Sequence, residues 1–260
     1  MFATRFMYEY KQWEELTKTY GPAPSSINKP GRDLSQAEAR DIVMHLVVNK
    51  WIQLIDPPLF GPRGDVQIPT PGKRYKISNQ VAGVTFRALT VNWDYLPNVN
   101  LAWIVVLYRL AVGLQGEFGA KTIYWGGIGV GGDDKPVTDS HHTGRAIDFF
   151  GAETREGKFL VTKDWSAIPI VIKGKTVNDW PPSRVPYYRL WPVIHRGYYL
   201  FDWVYDFATR ECQDSSEGPS AAGQSASRIG LRSFIIHPDH PDAYLRSHHQ
   251  DHMHFQIGTT

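Results

Sequence analysis

The stretch from Val99 to Gly116 constrains the fold most, because Leu101, Ile104, Val105, Tyr108, Ala111 and Val112 spread apolar side chains over a wide helical face. A helix of that kind needs cover on more than one side. The spacing therefore predicts a core helix with other elements packed around it. Short strands are predicted at Lys121–Trp125, stopped by Gly126, Gly127 and Gly129, and at Ala146–Phe150. A further helix is predicted from Trp191 to Glu211, with Pro192 in its first turn. The chain closes with Ser233–Ile236 and a strand from His252 to Ile257. Mixed helices and strands of this order point to an α+β fold, a small and mainly antiparallel sheet flanked by helices.

Upstream of that core the chain changes character. Residues 1–20 read as a short helix, broken by the Pro/Ser/Gly run 21–26. Asp33 or Ser35 can cap a second helix over about 35–55, with Glu38 three residues after Ser35 to complete a capping box. Its apolar positions are Ile42, Leu46, Ile52 and Ile55. Five prolines between Asp56 and Lys76 predict loop. Residues 1–94 are thus expected to form a helical and loop-rich N-terminal extension, packed on or preceding a main domain at 95–260. The Ser/Gly/Ala-rich run 214–227 reads as a mobile surface loop.

Composition narrows the function classes. With 42% hydrophobic and 21% charged residues the chain is too apolar for disorder. A net charge of +2 and a pI near 8.5 permit an anionic partner such as cell wall but lack the strong basic balance of a nucleic-acid binder. A single cysteine, Cys212, excludes an internal disulfide framework and a cysteine-built zinc site. The residues after Met1 carry no Sec-type signal core, and no membrane span is expected, so a cytoplasmic origin in the producer is expected.

Two segments carry chemistry: His141-His142-Thr143-Gly144-Arg145-Ala146-Ile147-Asp148 and Asp251-His252-Met253-His254. Together they offer two imidazoles and a carboxylate to a metal, with a second carboxylate near by to handle protons. Fully extended, His141 and Asp148 would stand about 23 Å apart. Two ligands of one tetrahedral ion need donor atoms roughly 3–3.5 Å apart. The chain must turn sharply between them, and Gly144 is suited to that turn. In a strand, His252 and His254 face one side and Met253 and Phe255 the other. One histidine can then bind metal while the other lies beside the reacting group. Histidines 237, 240, 248 and 249 read as solvated loop residues, and His45 and His195 as structural ones.

The pattern His141-x-x-Gly144-x-Ala146-x-Asp148 with Asp251-His252-x-His254 resembles the M15 family of zinc peptidases, in particular its extensin-like branch. That family holds D-alanyl-D-alanine carboxypeptidases and peptidoglycan endopeptidases and is related in fold to hedgehog proteins. The likeness covers roughly residues 95–258. It implies a hedgehog-like peptidase fold, Zn2+ held by His141, Asp148 and His254, Asp251 as general base, and His252 positioning or stabilising the reacting group. It also implies a peptidoglycan stem peptide as substrate, and the missing signal core suggests a cytoplasmic enzyme, a phage component or an effector sent out by delivery machinery. Two departures stand out: Asp139 replaces a serine common before the first histidine, and Tyr124-Trp125-Gly126-Gly127 lacks the usual Arg or Gln for the oxyanion. His252, Tyr124 and Arg145 remain as oxyanion donors. The alternatives are a non-catalytic zinc-stabilised binding module, which would need no base at Asp251, and a toxin protease acting on a protein.

Overall fold

The computed structural model describes residues 2–89, 91–129, 140–165, 197–212, 233–240 and 248–258, with Pro186 and Leu245. Helix α1 (Phe2–Tyr20) leads to α2 (Gln36–Val48). The start of α2 is fixed by the capping box: the Glu38 backbone N–H donates to Ser35 Oγ, and the Ser35 N–H donates to Glu38 Oε2. The helix stops at Val48 rather than near residue 55. Asn49 caps it and Lys50 adopts a left-handed φ of 62°, which redirects the chain. Ile52 still enters the core, but Ile55 falls in strand β1 (Leu54–Asp56) and is 37% exposed.

The proline-rich loop runs to Lys73, where β2 (Arg74–Ser78) begins. A second sheet then takes β3 (Gln80–Val81) and β4 (Val84–Ala88), and β5 (Tyr95–Asn100) returns to the first, which has the antiparallel order β1-β2-β5. Helix α3 (Leu101–Phe118) follows, its first turn capped by the Asn100 side chain accepting from the Ala102 N–H.

The second sheet adds β6 (Thr122–Gly126), β7 (Ala146–Thr154), β8 (Gly157–Leu160), β9 (Phe234–Ile236) and β10 (Met253–Gln256). Its order is β3-β4-β6-β7-β10-β9, and β8 pairs with β7 beyond the reach of β10. All pairs are antiparallel except β4–β6, whose parallel alignment requires the long crossover that β5 and α3 provide. The α+β class and the mainly antiparallel pairing hold, but the sheet is not small: it has seven strands among the described residues. It draws β3 and β4 from the stretch before residue 95.

Helix α3 lies at the centre. Every residue from Leu101 to Leu107 is buried, as are Leu110, Ala111 and Leu114. Its C-terminal half opens on one side, leaving Val112 42% exposed. By length and apolarity α3 would suit a membrane span, yet 56% of it is buried inside the fold, where it serves as core. A single turn, α4 (Val161–Asp164), and α5 (Tyr198–Glu211) cover the sheet's other elements; Leu200, Phe201, Val204, Tyr205, Phe207 and Ala208 face inward from α5. The expected helical stretch 191–196 and the Ser/Gly/Ala-rich run 214–227 lie outside the described residues.

Candidate metal centre

The register of β7 against β10 sets Asp148 opposite His254. On the other edge of β7, Gly126 at the end of β6 is opposite the same aspartate. His141 reaches them from the loop before β7. Gly144, with φ of 67°, makes the turn, and its N–H donates to the His141 carbonyl at 3.0 Å. A Cβ on Gly144 would lie 1.9 Å from the Asn98 carbonyl oxygen, so the chain passes there only as glycine. The Arg145 N–H donates to the Ser140 carbonyl, and Arg74 donates to the His142 carbonyl at 2.7 Å, which pins the loop to β2.

Three imidazoles converge on one oxygen. Asp148 Oδ1 lies 3.3 Å from His141 Nε2, 3.3 Å from His252 Nε2 and 3.0 Å from His254 Nδ1. The rings of His141 and His254 meet edge to face with centroids 4.7 Å apart. Donor atoms of His141, Asp148 and His254 all lie within 4.8 Å of one another. That is wider than the roughly 3–3.5 Å of a closed tetrahedral site. These three residues form a group that can hold a metal ion.

The electrostatics favour a cation. Burial pushes the Asp148 carboxyl up, but attraction to His141 and hydrogen bonds with His141, His252 and His254 outweigh it and hold the group well below the usual carboxylate range. Burial pushes His254 down, against the pull of Asp148. His254 Nε2 lies 3.0 Å from the side-chain oxygen of Gln256, which can only accept. Nδ1 lies 3.0 Å from Asp148 Oδ1, so the ring stands between two acceptors and a single hydrogen can satisfy only one of them. A cation on Nδ1 would leave that hydrogen on Nε2 for Gln256 and would itself be attracted by the Asp148 carboxylate.

Asp251 and His252 flank this group. Asp251 Oδ1 accepts from His252 Nδ1 at 2.6 Å, and the Asp251 side chain is 55% exposed. Burial lowers the pKa of His252, but hydrogen bonds and attraction from Asp148 and then Asp251 raise it above the ordinary value. Phe150 packs beside His252 and Phe234 stacks on His254, giving the centre apolar walls.

The other expected residues divide. Arg145 is buried, donating from Nε to Thr143 Oγ1 and from NH1 to the Ile257 carbonyl, so it fastens the loop to the end of β10 instead of facing an oxyanion. Tyr124 hydrogen-bonds Glu153 under the Lys158 ammonium. His237 and His240 are not solvated: they are 0% and 2% exposed, packed by ring contacts that include Trp165 and Tyr205 on His237. His249 lies beside the centre, its ring 4.8 Å from that of His252, while His248 is exposed as expected. His45 is buried against the Tyr20 carbonyl. Asp139 and His195 lie outside the described residues.

Two site residues escape the motif pattern. Gly127 presses on the ligands so closely that a Cβ there would lie 2.4 Å from His141 Nδ1 and 2.7 Å from Asp148 Oδ2. Gln256 touches His254 from two residues further along β10; the strand period of two is the signal that could have found it. No protein-family model, curated protein or solved structure matches the chain.

Proposed function

We propose that this chain is a zinc peptidase with a hedgehog-like peptidase fold, hydrolysing amide bonds in peptidoglycan stem peptides or cross-links. One observation carries the reading: His141, Asp148 and His254 converge from two distant segments, with the Asp251–His252 pair beside them. Two nitrogens and one oxygen suit Zn2+ and leave a fourth position open. Bound there, the ion would polarise the scissile carbonyl and bring the pKa of water near neutrality.

The remaining steps belong to the protein. Asp251, held by the His252 Nδ1–H and open to solvent, accepts the proton of the attacking water and returns it to the leaving amine. His252, whose pKa is raised by its two carboxylate neighbours, offsets negative charge developing on the carbonyl oxygen. Phe150 and Phe234 keep the surroundings apolar, which strengthens those charge interactions.

Mass analysis of purified muropeptides incubated with the wild type and with Asp251→Ala tests the proposal. Loss of a terminal residue or of a cross-link with the wild type only is the expected result. Intact muropeptides with a zinc-loaded wild type would remove the substrate assignment.

A further inference from the structure

We infer that Gln256 is a positioning residue that selects the nitrogen through which His254 engages a metal ion. The inference rests on the metal reading above. Gln256 is 1% exposed and sits on β10 on the same strand face as His254. Its Oε1 accepts from Ser140 Oγ at 2.5 Å and from His254 Nε2 at 3.0 Å. Ser140, itself buried, directly precedes His141. A short chain of hydrogen bonds thus joins the loop bearing one ligand to the strand bearing another.

The consequence is a choice of tautomer. Gln256 Oε1 on the Nε2 side and Asp148 Oδ1 on the Nδ1 side are both acceptors and compete for the single hydrogen of a neutral His254. A metal ion on Nδ1 would leave that hydrogen on Nε2, where Gln256 accepts it. Remove the Gln256 acceptor and the hydrogen goes to Nδ1, where Asp148 Oδ1 accepts it. The two ligands then satisfy each other, and an ion must displace that hydrogen bond to enter. Outer partners of this kind change metal affinity by about 10–100-fold.

The test uses the full chain and two substitutions. Gln256→Met keeps the volume and loses the acceptor; Gln256→Glu keeps an accepting oxygen. Zn2+ affinity is read by competition with a chromophoric chelator, Co2+ coordination by its visible spectrum, and the ring nitrogens of metal-free His254 by 15N NMR at neutral pH. Gln256→Met is expected to bind Zn2+ about 10–100-fold more weakly and to shift the His254 tautomer population of the metal-free chain toward Nδ1–H. Gln256→Glu is expected to bind as tightly as the wild type or tighter. A folded Gln256→Met with wild-type affinity and an unchanged Co2+ spectrum overturns the inference alone. So does a folded Gln256→Glu at least about tenfold weaker than wild type, a comparison that decides the matter even where Gln256→Met does not fold. A wild type with no affinity for either ion overturns the metal reading, and this inference with it.

Discussion

Asp148 and His254 stand directly opposite each other in the β7–β10 ladder, with Oδ1 and Nδ1 3.0 Å apart. The main-chain hydrogen bonds of two buried strands therefore set the spacing of two candidate ligands. Truncating one of them leaves that ladder intact. His254→Ala and His141→Ala are expected to fold and to lose bound metal. Zn2+ at a hundred times its Kd should raise wild-type stability by about 2.7 kcal/mol and leave both variants unmoved. Metal analysis with urea unfolding measures this; a variant that retains one equivalent of tightly bound zinc would reject the ligand assignment.

Asp251 differs from the ligands in exposure and in partner. Its side chain is half open to solvent and bonds to His252, which is not among the three candidate ligands. Asp251→Ala should lower turnover by about 10^2–10^4-fold, the usual weight of general acid–base catalysis. Zinc content should not change. Full turnover in this variant, or loss of its metal, counts against the base.

Much of this arrangement was legible because its signals are local. Ser35 and Glu38 announce the start of α2, and the apolar run after Asn100 announces α3. Gly144 and Ala146 mark the turn into β7, and the alternation at 252–255 marks β10. The rest depends on tertiary contact. Strand β3, two residues long, is too short for a periodicity and becomes a strand by pairing on β4, which in turn pairs on β6. His237 and His240 read as polar loop residues, and only the covering rings bury them. Arg145 reads as an oxyanion donor from its place in the motif, and only the contacts with Thr143 and the Ile257 carbonyl show what holds it.

Acid should loosen the start of α2. Hydrogen bonds from Lys29, then from the Ser35 N–H and hydroxyl, hold the Glu38 carboxyl down to about 2, from an ordinary 4.5. A folded pKa below the unfolded one means that stability is fully present above about 4.5 and is lost as pH falls through about 2. Glu38→Gln preserves the capping geometry and removes the titration. The stability gap between wild type and variant, from urea melts, should close as pH falls and narrow with added salt. A gap that ignores pH contradicts the assignment.

A buried ion pair ties the N-terminal segment to the core. Glu211 Oε2 accepts from Arg109 NH1 at 2.7 Å and from the Gly31 N–H at 2.8 Å, while Arg109 NH2 donates to the Ile27 carbonyl. Glu211→Ala should cost about 3–5 kcal/mol, because it strands a guanidinium away from water. Pairing Glu211→Leu with Arg109→Met should cost less than the single change, since neither charge is then left alone. Denaturant melts of the wild type and the two variants decide it; a single change costing under about 1 kcal/mol would place the pair with ordinary surface bridges.

Gly127 separates backbone strain from damage to the centre. It and Gly72 have nearly the same left-handed φ, 77° and 80°. Either one changed to alanine should therefore lose about 1–2 kcal/mol from conformation alone. Their surroundings differ: a Cβ at Gly72 meets nothing within 4 Å, whereas one at Gly127 meets His141 Nδ1 at 2.4 Å and Asp148 Oδ2 at 2.7 Å. Two ligands must then move apart to admit a methyl group, and a site whose donors need sub-ångström placement cannot absorb that. Gly127→Ala is expected to weaken Zn2+ binding well beyond Gly72→Ala, which should bind like the wild type. Equal affinity in the two variants, measured by chelator competition, would mean that the close approach of β6 has no part in shaping the centre.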